Sequence, residues 1–351
     1  MALKNILRIL SLAVTLVASC HVQAQVDIPG PRFRPRGVES PENTRPFADP
    51  GVFNYDAQAF APVDFSTNDE LDGQSGFFLS YDRLATSISR SSGDNIQPNL
   101  RRQSGTNNLW GNRYNIGWYG DDERGWMVSY QQSEGNDFVN GQDILVANPM
   151  LVTNTAASVE LNRIFRQETQ SGGYFEPYLG LRYMYLSDKT LEDTTQAFGG
   201  TTFENRFTQS VSNSGTGLHA GGRYSQRRGR YRYSCDVAVA TLYNEQRMRA
   251  GDIATDQTSG AVGITEIYFN DQSFVPVIDM NFDLAYNLSR DIAVRGGVQV
   301  MYMWDGLARA NTLSTNFNPN SSFGFGGTDP LGFFEDGVLN AGFTLGVEWR
   351  R

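Results

Sequence analysis

Leu339-Asn340-Ala341-Gly342-Phe343-Thr344-Leu345-Gly346-Val347-Glu348-Trp349-Arg350 decides how this chain folds. Successive side chains of a strand point to opposite faces. Leu339, Ala341, Phe343, Leu345, Val347 and Trp349 therefore share one face, wholly apolar and ending in an aromatic ring. Asn340, Gly342, Thr344, Gly346, Glu348 and Arg350 share the other, which is small or polar. A period of two held over this length predicts a strand rather than a helix.

The same pattern recurs upstream. Ile278, Met280, Phe282, Leu284, Tyr286 and Leu288 alternate with Asp279, Asn281, Asp283, Ala285 and Asn287. Asn287 to Asp291 reads as a short turn. Ile292, Val294, Val298, Val300, Tyr302 and Trp304 then stand opposite Arg295, Gln299 and Met303. Phe77, Leu79 and Tyr81 mark an early strand. Tyr114, Ile116 and Trp118 lead through Gly120-Asp121-Asp122 to Trp126, Val128 and Tyr130. Val159 to Phe165 and Leu179 to Tyr185 form another pair, with Glu160 and Arg182 on their polar faces as cross-strand partners. Leu218 to Tyr224 turns at Gln226–Gly229 into Tyr231 to Tyr243. Weaker strand signals lie at 141–147 and 261–269. The sum is about 12 strands, with 10 or 14 as the neighbouring solutions.

Alternation alone fits a half-buried soluble sheet as well. Three features favour a transmembrane, antiparallel, up-and-down β-barrel. The runs approach the roughly 9–11 residues that a tilted strand needs to cross a bilayer, whereas soluble strands centre near roughly 5–6. Trp118, Trp126, Tyr243, Tyr286, Tyr302, Trp304 and Trp349 sit at or near the ends of apolar faces. Amphipathic rings suit the membrane–water boundary, so these seven are candidates for two aromatic girdles. The last strand supplies the third feature, because closing the sheet leaves no unpaired edge in lipid. Glu160, Arg182, Asp279, Asp283, Arg295 and Gln299 then become candidates to line a wet interior. The competing soluble reading is a secreted β-sandwich or propeller with the aromatics in its core.

The two ends of the chain divide it into three parts. Lys4 and Arg8 precede an apolar stretch from Ile9 to Ala18, and Val22-Gln23-Ala24 is a small-residue cleavage site. Residues 1–24 read as an export signal. Val17-Ala18-Ser19-Cys20 offers lipoprotein processing at Cys20 as a lesser alternative. Residues 25–75 hold seven of the 13 prolines, from Pro29 to Pro62, interleaved with Arg32, Arg34, Arg36 and Arg45. Such a stretch reads as an extended leader. Residues 76–351 form the barrel.

Composition agrees. The 351 residues are 40 % hydrophobic and 12 % aromatic, with 36 glycines. Mean hydropathy is −0.40, which a barrel tolerates because only alternate residues meet lipid. Outside the signal no apolar run reaches the roughly 18–20 residues of a spanning helix. The net charge of −9 loses two positive charges with the signal and becomes −11, which argues against a nucleic-acid partner. Lysine occurs only at Lys4 and Lys189 while arginine is plentiful, and arginine suits buried carboxylate pairs. Cys235 is the one cysteine after the signal, so no internal disulfide is expected.

The chain resembles the β-barrel porin family found mainly in planctomycete bacteria. The matching stretches are Ser158-Val159-Glu160-Leu161-Asn162, Tyr178 to Leu186, Val211-Ser212-Asn213 with Gly217 to Gly221, and Phe282 to Ala310 with Gly337 to Trp349. They span roughly residues 75–351 and are strand patterns, with no catalytic signature. The resemblance implies an outer-membrane barrel of a Gram-negative-type envelope and brings no substrate or site residue with it.

Reactive constellations are absent from the pattern. His219 is the only histidine outside the signal. Ser214 and Asn213 are near it in sequence, but they share one strand, whereas catalytic sets converge from separate elements. Gly215-Thr216-Gly217 lacks dinucleotide-loop spacing. Asn68 to Gly73 begins like a calcium loop, but Leu79 stands where the bidentate acid belongs. No catalytic residue, cofactor or metal set is expected, and the chain does not read as an enzyme. The function expected is passive passage of small hydrophilic solutes or ions, with Asp279 and Asp283 giving a mild cation preference opposed by Arg182 and Arg295. A structural or surface-binding barrel is the alternative. On either reading the partners expected are membrane lipids and a lipopolysaccharide-type outer leaflet.

Overall fold

The computed structural model describes residues 75–89, 106–120, 123–140, 149–169, 173–198, 201–310, 334–335 and 337–350. The stretches read from the sequence as an export signal (1–24), a leader (up to residue 74) and a weak strand (141–147) lie outside them.

The described strands are β1 Gly76–Ser89, β2 Thr106–Tyr119, β3 Arg124–Asn140, β4 Pro149–Phe165, β5 Gln167–Glu168, β6 Gly173–Phe198, β7 Thr201–Arg228, β8 Tyr231–Asp256, β9 Val262–Asn287, β10 Ile292–Met303, β11 Ala308–Arg309, β12 Phe334–Glu335 and β13 Val338–Arg350. Each long strand runs antiparallel to its neighbours in the order β4-β3-β2-β1-β13-β10-β9-β8-β7-β6, and β4 pairs with β6 to close the ring. Among the described residues ten strands form this barrel. The first and last strands meet, with Leu79 opposite Trp349 and Tyr81 opposite Val347. Closure removes both edges, so every strand has a partner on each side.

Ten strands is the smaller of the solutions compatible with the sequence. The weak signal at 261–269 is no separate strand: it is the far end of β9, which is 26 residues long. Strands β6, β7 and β8 have 26, 28 and 26 residues, more than one bilayer crossing needs. The ten clear strand signals of the sequence each fall in one strand of the ring.

Connections sort by end. The links at 229–230 and 288–291 lie at one end of the barrel, together with the close of β2, the starts of β1 and β3 and the close of β13. Gly229 carries a φ of 60° in one of these turns, a backbone state that costs glycine little because it has no Cβ. In bacterial barrels such short turns face the periplasm and longer loops face outward.

The outer face follows the expected alternation. On β8, Tyr231, Tyr233, Cys235, Val237, Val239, Thr241 and Tyr243 face outward, and beyond them come Glu245, Arg247 and Arg249. Twelve residue steps at roughly 3.3 Å, tilted by about 40°, give an apolar band of about 30 Å. Rings mark both limits. Trp118 stands opposite Trp126, and Tyr231 packs on Tyr286 at 5.2 Å. Trp349 lies between Leu79 and Ile292 at the same short-turn end. At the other limit Tyr243 packs edge-on to Phe274 at 5.6 Å, and Tyr302 to Trp304 at 4.9 Å.

Candidate functional site

The inward faces build the site, and they are layered. Toward the short-turn end charged groups predominate, beside a small apolar cluster of Met127, Ile164, Tyr178 and Ala238. Further along, inward side chains of eight strands, all but β3 and β7, join a larger apolar cluster. On β1 the order is Ser80, Asp82, Leu84, Thr86, Ile88; on β6 it is Glu176, Tyr178, Gly180, Arg182, Met184, Leu186.

The apolar layer corrects the expectation of a wet interior throughout. Ile88, Leu109, Ala156, Met184, Leu186, Ala240, Leu242, Val275, Val277, Met301, Met303 and Val338 converge with Leu307 on the barrel axis. Leu307 belongs to the stretch that follows β10 and turns into the lumen. Its neighbours Gly306, Ala308 and Arg309 are all buried. Polar inward side chains hold this stretch. Asn213 donates from Nδ2 to the Ala308 carbonyl at 2.8 Å and accepts from the Ala308 N–H at 2.9 Å. Asn244 and Gln246 donate to the Gly306 carbonyl at 3.0 and 2.9 Å. Arg309 pairs with Asp188 and donates to the Ser89 carbonyl at 2.9 Å. The alternating pattern marked these strands as apolar-out, but it could not show that methionines and leucines at inward positions would meet across a narrow ring. An eight-stranded barrel is already filled by side chains, whereas aqueous channels come with roughly 16–18 strands.

Beneath the apolar layer lies a cavity of about 150 Å³ lined by charged and polar groups, among them all six residues that the sequence marks as interior: Glu160, Arg182, Asp279, Asp283, Arg295 and Gln299. They do not present free charges to a pore. Glu160 and Arg182 are opposite each other in register, 3.5 Å apart, and Arg182 crosses the lumen to pair with Asp279 on β9. Arg295 holds Asp82 at 2.8 Å and approaches Asp283 at 3.8 Å and Glu348 at 3.5 Å. Gln299 donates to Gln131 Oε1 at 3.2 Å.

Sequence reasoning missed the other half of this network. Arg113 on β2 pairs with Asp82 at 2.9 Å. Arg223 lies between Glu176 and Asp236, at 3.8 and 3.1 Å. Arg166 pairs with Glu176 at 2.9 Å, and Arg232 with Glu348 at 2.6 Å. Their signal in the sequence was the arginine excess and their inward parity; their partners come from distant strands and were not legible. The mild cation preference assigned to Asp279 and Asp283 loses its basis, since both acids have arginine neighbours.

His219 lies on β7, 2 % exposed, with Nδ1 at 3.2 Å from Asn162 Oδ1 and 3.7 Å from Glu160 Oε2. Its ring tilts against Tyr178 at 5.4 Å, and Tyr178 donates to Asp236 at 2.6 Å. Asn213 is occupied with Ala308, so it does not join His219 in a hydrolytic set. The seven girdle candidates all lie outside the cavity, on the outer face or at its limits.

This architecture defines a transmembrane β-barrel of the outer-membrane type. No family model matches the chain, and no curated protein does; the planctomycete-type resemblance finds no support there. Solved structures do resemble it. A major outer membrane protein from Thermus thermophilus shares 11 % identity at a TM-score of 0.34, covering 78 % of this chain and 99 % of that one. The outer membrane protease OmpT from Escherichia coli shares 9 % at 0.39, covering 81 % and 100 %. The toluene transporter TodX from P. putida shares 9 % at 0.25, covering 84 % and 91 %. Likeness at these levels says nothing about activity.

Proposed function

We propose that this chain is an exported outer-membrane barrel that is closed to bulk solute and extends as a β-ribbon outside the bilayer. One observation carries the reading: Leu307 is inserted into the lumen and buried in an apolar cluster drawn from eight strands of the ring. Beyond the aromatic limit at Tyr243, strands β6 to β9 continue as a ribbon with exposed ion pairs, Arg249–Glu266 at 2.7 Å and Arg206–Asp193 at 2.8 Å. These pairs add little stability, being solvated. They suit a surface that meets water and the sugars of a lipopolysaccharide-type leaflet. In this reading residues 1–24 direct export.

Planar-bilayer recording tests it. Folded protein, identified by heat-modifiable migration on a gel, is expected to give no sustained conductance steps. Steady steps from wild-type protein would instead support the second reading, a channel for small hydrophilic solutes or ions. That reading is favoured by how the inserted stretch is held, mostly by side chains, with β11 pairing, among the described residues, with the two-residue β12. A plug attached in this way can be displaced without unzipping the barrel.

A further inference from the structure

We infer that Glu160, His219 and Asp279 form a binding site for one divalent transition-metal ion inside the barrel. They come from β4, β7 and β9, so the ring closure brings them together. Each offers a ligand atom, and the three atoms lie within 4.8 Å of one another. One imidazole and two carboxylates make a nitrogen–oxygen donor set of the kind zinc accepts. Calcium asks for six to eight oxygens and fits it poorly.

A second observation points to a ligand. His219 Nε2 and Asp279 Oδ1 are buried without a hydrogen-bond partner, and the residues are 2 % and 8 % exposed. An unmade bond on a buried polar atom is costly. A cation held by this cluster would give such atoms the partner they lack. His219 Nδ1 already faces Asn162 Oδ1 at 3.2 Å. A proton on Nδ1 shared with that oxygen leaves Nε2 as a bare lone pair, the tautomer found in metal-bound imidazoles.

Arg182 is the main objection, because its guanidinium pairs with both acids. Its bond to Asp279 uses Oδ2 and leaves Oδ1 open. Ligating carboxylates are ordinarily held by such outer partners. Here Arg182 sets the orientation of both acids and weakens the site by its charge, which places the affinity below that of a three-ligand site without a cation beside it. Glu160, His219 and Asp279 all line the cavity beneath the apolar layer, so an ion has a route from the short-turn side.

The test is calorimetric titration of untagged, folded full-length protein in detergent with Zn²⁺ alone. Wild-type protein is expected to take up one equivalent. His219→Gln and Asp279→Asn are each expected to weaken binding at least about tenfold, and Asp256→Asn in the outer ribbon to leave it unchanged. Heat-modifiable migration confirms that each variant is folded. Pulsed paramagnetic resonance of the Cu²⁺ form gives a readout that does not depend on variant affinities. The chain contains two histidines, His21 and His219, and an imidazole-nitrogen coupling that persists in His21→Ala is expected from His219. No saturable uptake by wild-type protein, unchanged affinity in both site variants, or no such coupling would overturn the assignment.

Discussion

Arg295 on β10 reaches over Gly346 on β13 to Asp82 on β1, bringing its Nε within 2.8 Å of Oδ1. The three residues lie in one register row, with Arg295 opposite Gly346 and Gly346 opposite Asp82. The glycine makes the contact possible. A Cβ at position 346 would stand 2.1 Å from the Tyr81 carbonyl and 2.3 Å from Asp82 Oδ1. Gly346→Val is therefore expected to force the strands or the ion pair apart, at a cost of about 1–3 kcal/mol. Urea unfolding in detergent, followed by heat-modifiable migration, checks the shift. An unchanged midpoint would mean that the row relaxes freely.

Asp82 is fully buried and is shared by Arg113 and Arg295. Removing one partner of a buried pair leaves an uncompensated charge and costs about 3–5 kcal/mol. Asp82→Ala is expected at the lower end, because Asp283 lies 3.8 Å from both arginines and takes up part of the charge. The double variant Asp82→Ala with Asp283→Ala should then lose more than the sum of the single changes. Strict additivity in unfolding measurements would count against the shared network.

Asn213 exchanges two hydrogen bonds with Ala308. Asn213→Ala is expected to loosen the inserted stretch without opening the ring, since β7 keeps its backbone pairing with β6 and β8. At a net of roughly 1 kcal/mol per bond, amide exchange at Leu307 to Ala310 should accelerate by about one to two orders of magnitude. Bilayer recording of the same variant shows whether loosening suffices for transient conductance.

Cys235 shares the outward face with Val237 and Val239, as its place in the alternation predicts. A membrane-impermeant maleimide is expected to leave it unmodified in intact membranes and to modify it after unfolding. Rapid labelling of the native protein would place this face in water.

The hairpin between β8 and β9 is one acid-sensitive part of the ribbon. The Ser259 hydroxyl and the Thr258 N–H, at 2.5 and 2.7 Å, hold the Asp256 carboxyl below its ordinary range. A carboxylate lowered in this way stabilises the turn above its unfolded pKa, and the contribution is lost as pH falls through the depressed folded value. Amide exchange at Gly260, whose N–H donates to the Asp256 carbonyl at 2.8 Å, should therefore rise relative to the intrinsic rate on strong acidification. In Asp256→Asn that rise should be absent.

What the sequence by itself determined is local. Period two placed Leu339 to Trp349 outward, put Glu160 beside Arg182, and marked rings such as Trp118 and Tyr243 as limits of an apolar band. These follow from the pleat of a strand and need no knowledge of its neighbours. What only the tertiary structure decided depends on which strands face each other across a closed ring. The apolar layer around Leu307, the pairing of Arg182 with Asp279, and the meeting of Arg295 with Asp82 over Gly346 join residues far apart along the chain. Alternation says which side of the wall a residue occupies. The strand number and register fix how wide the lumen is, and so whether its inward side chains line a channel or fill it.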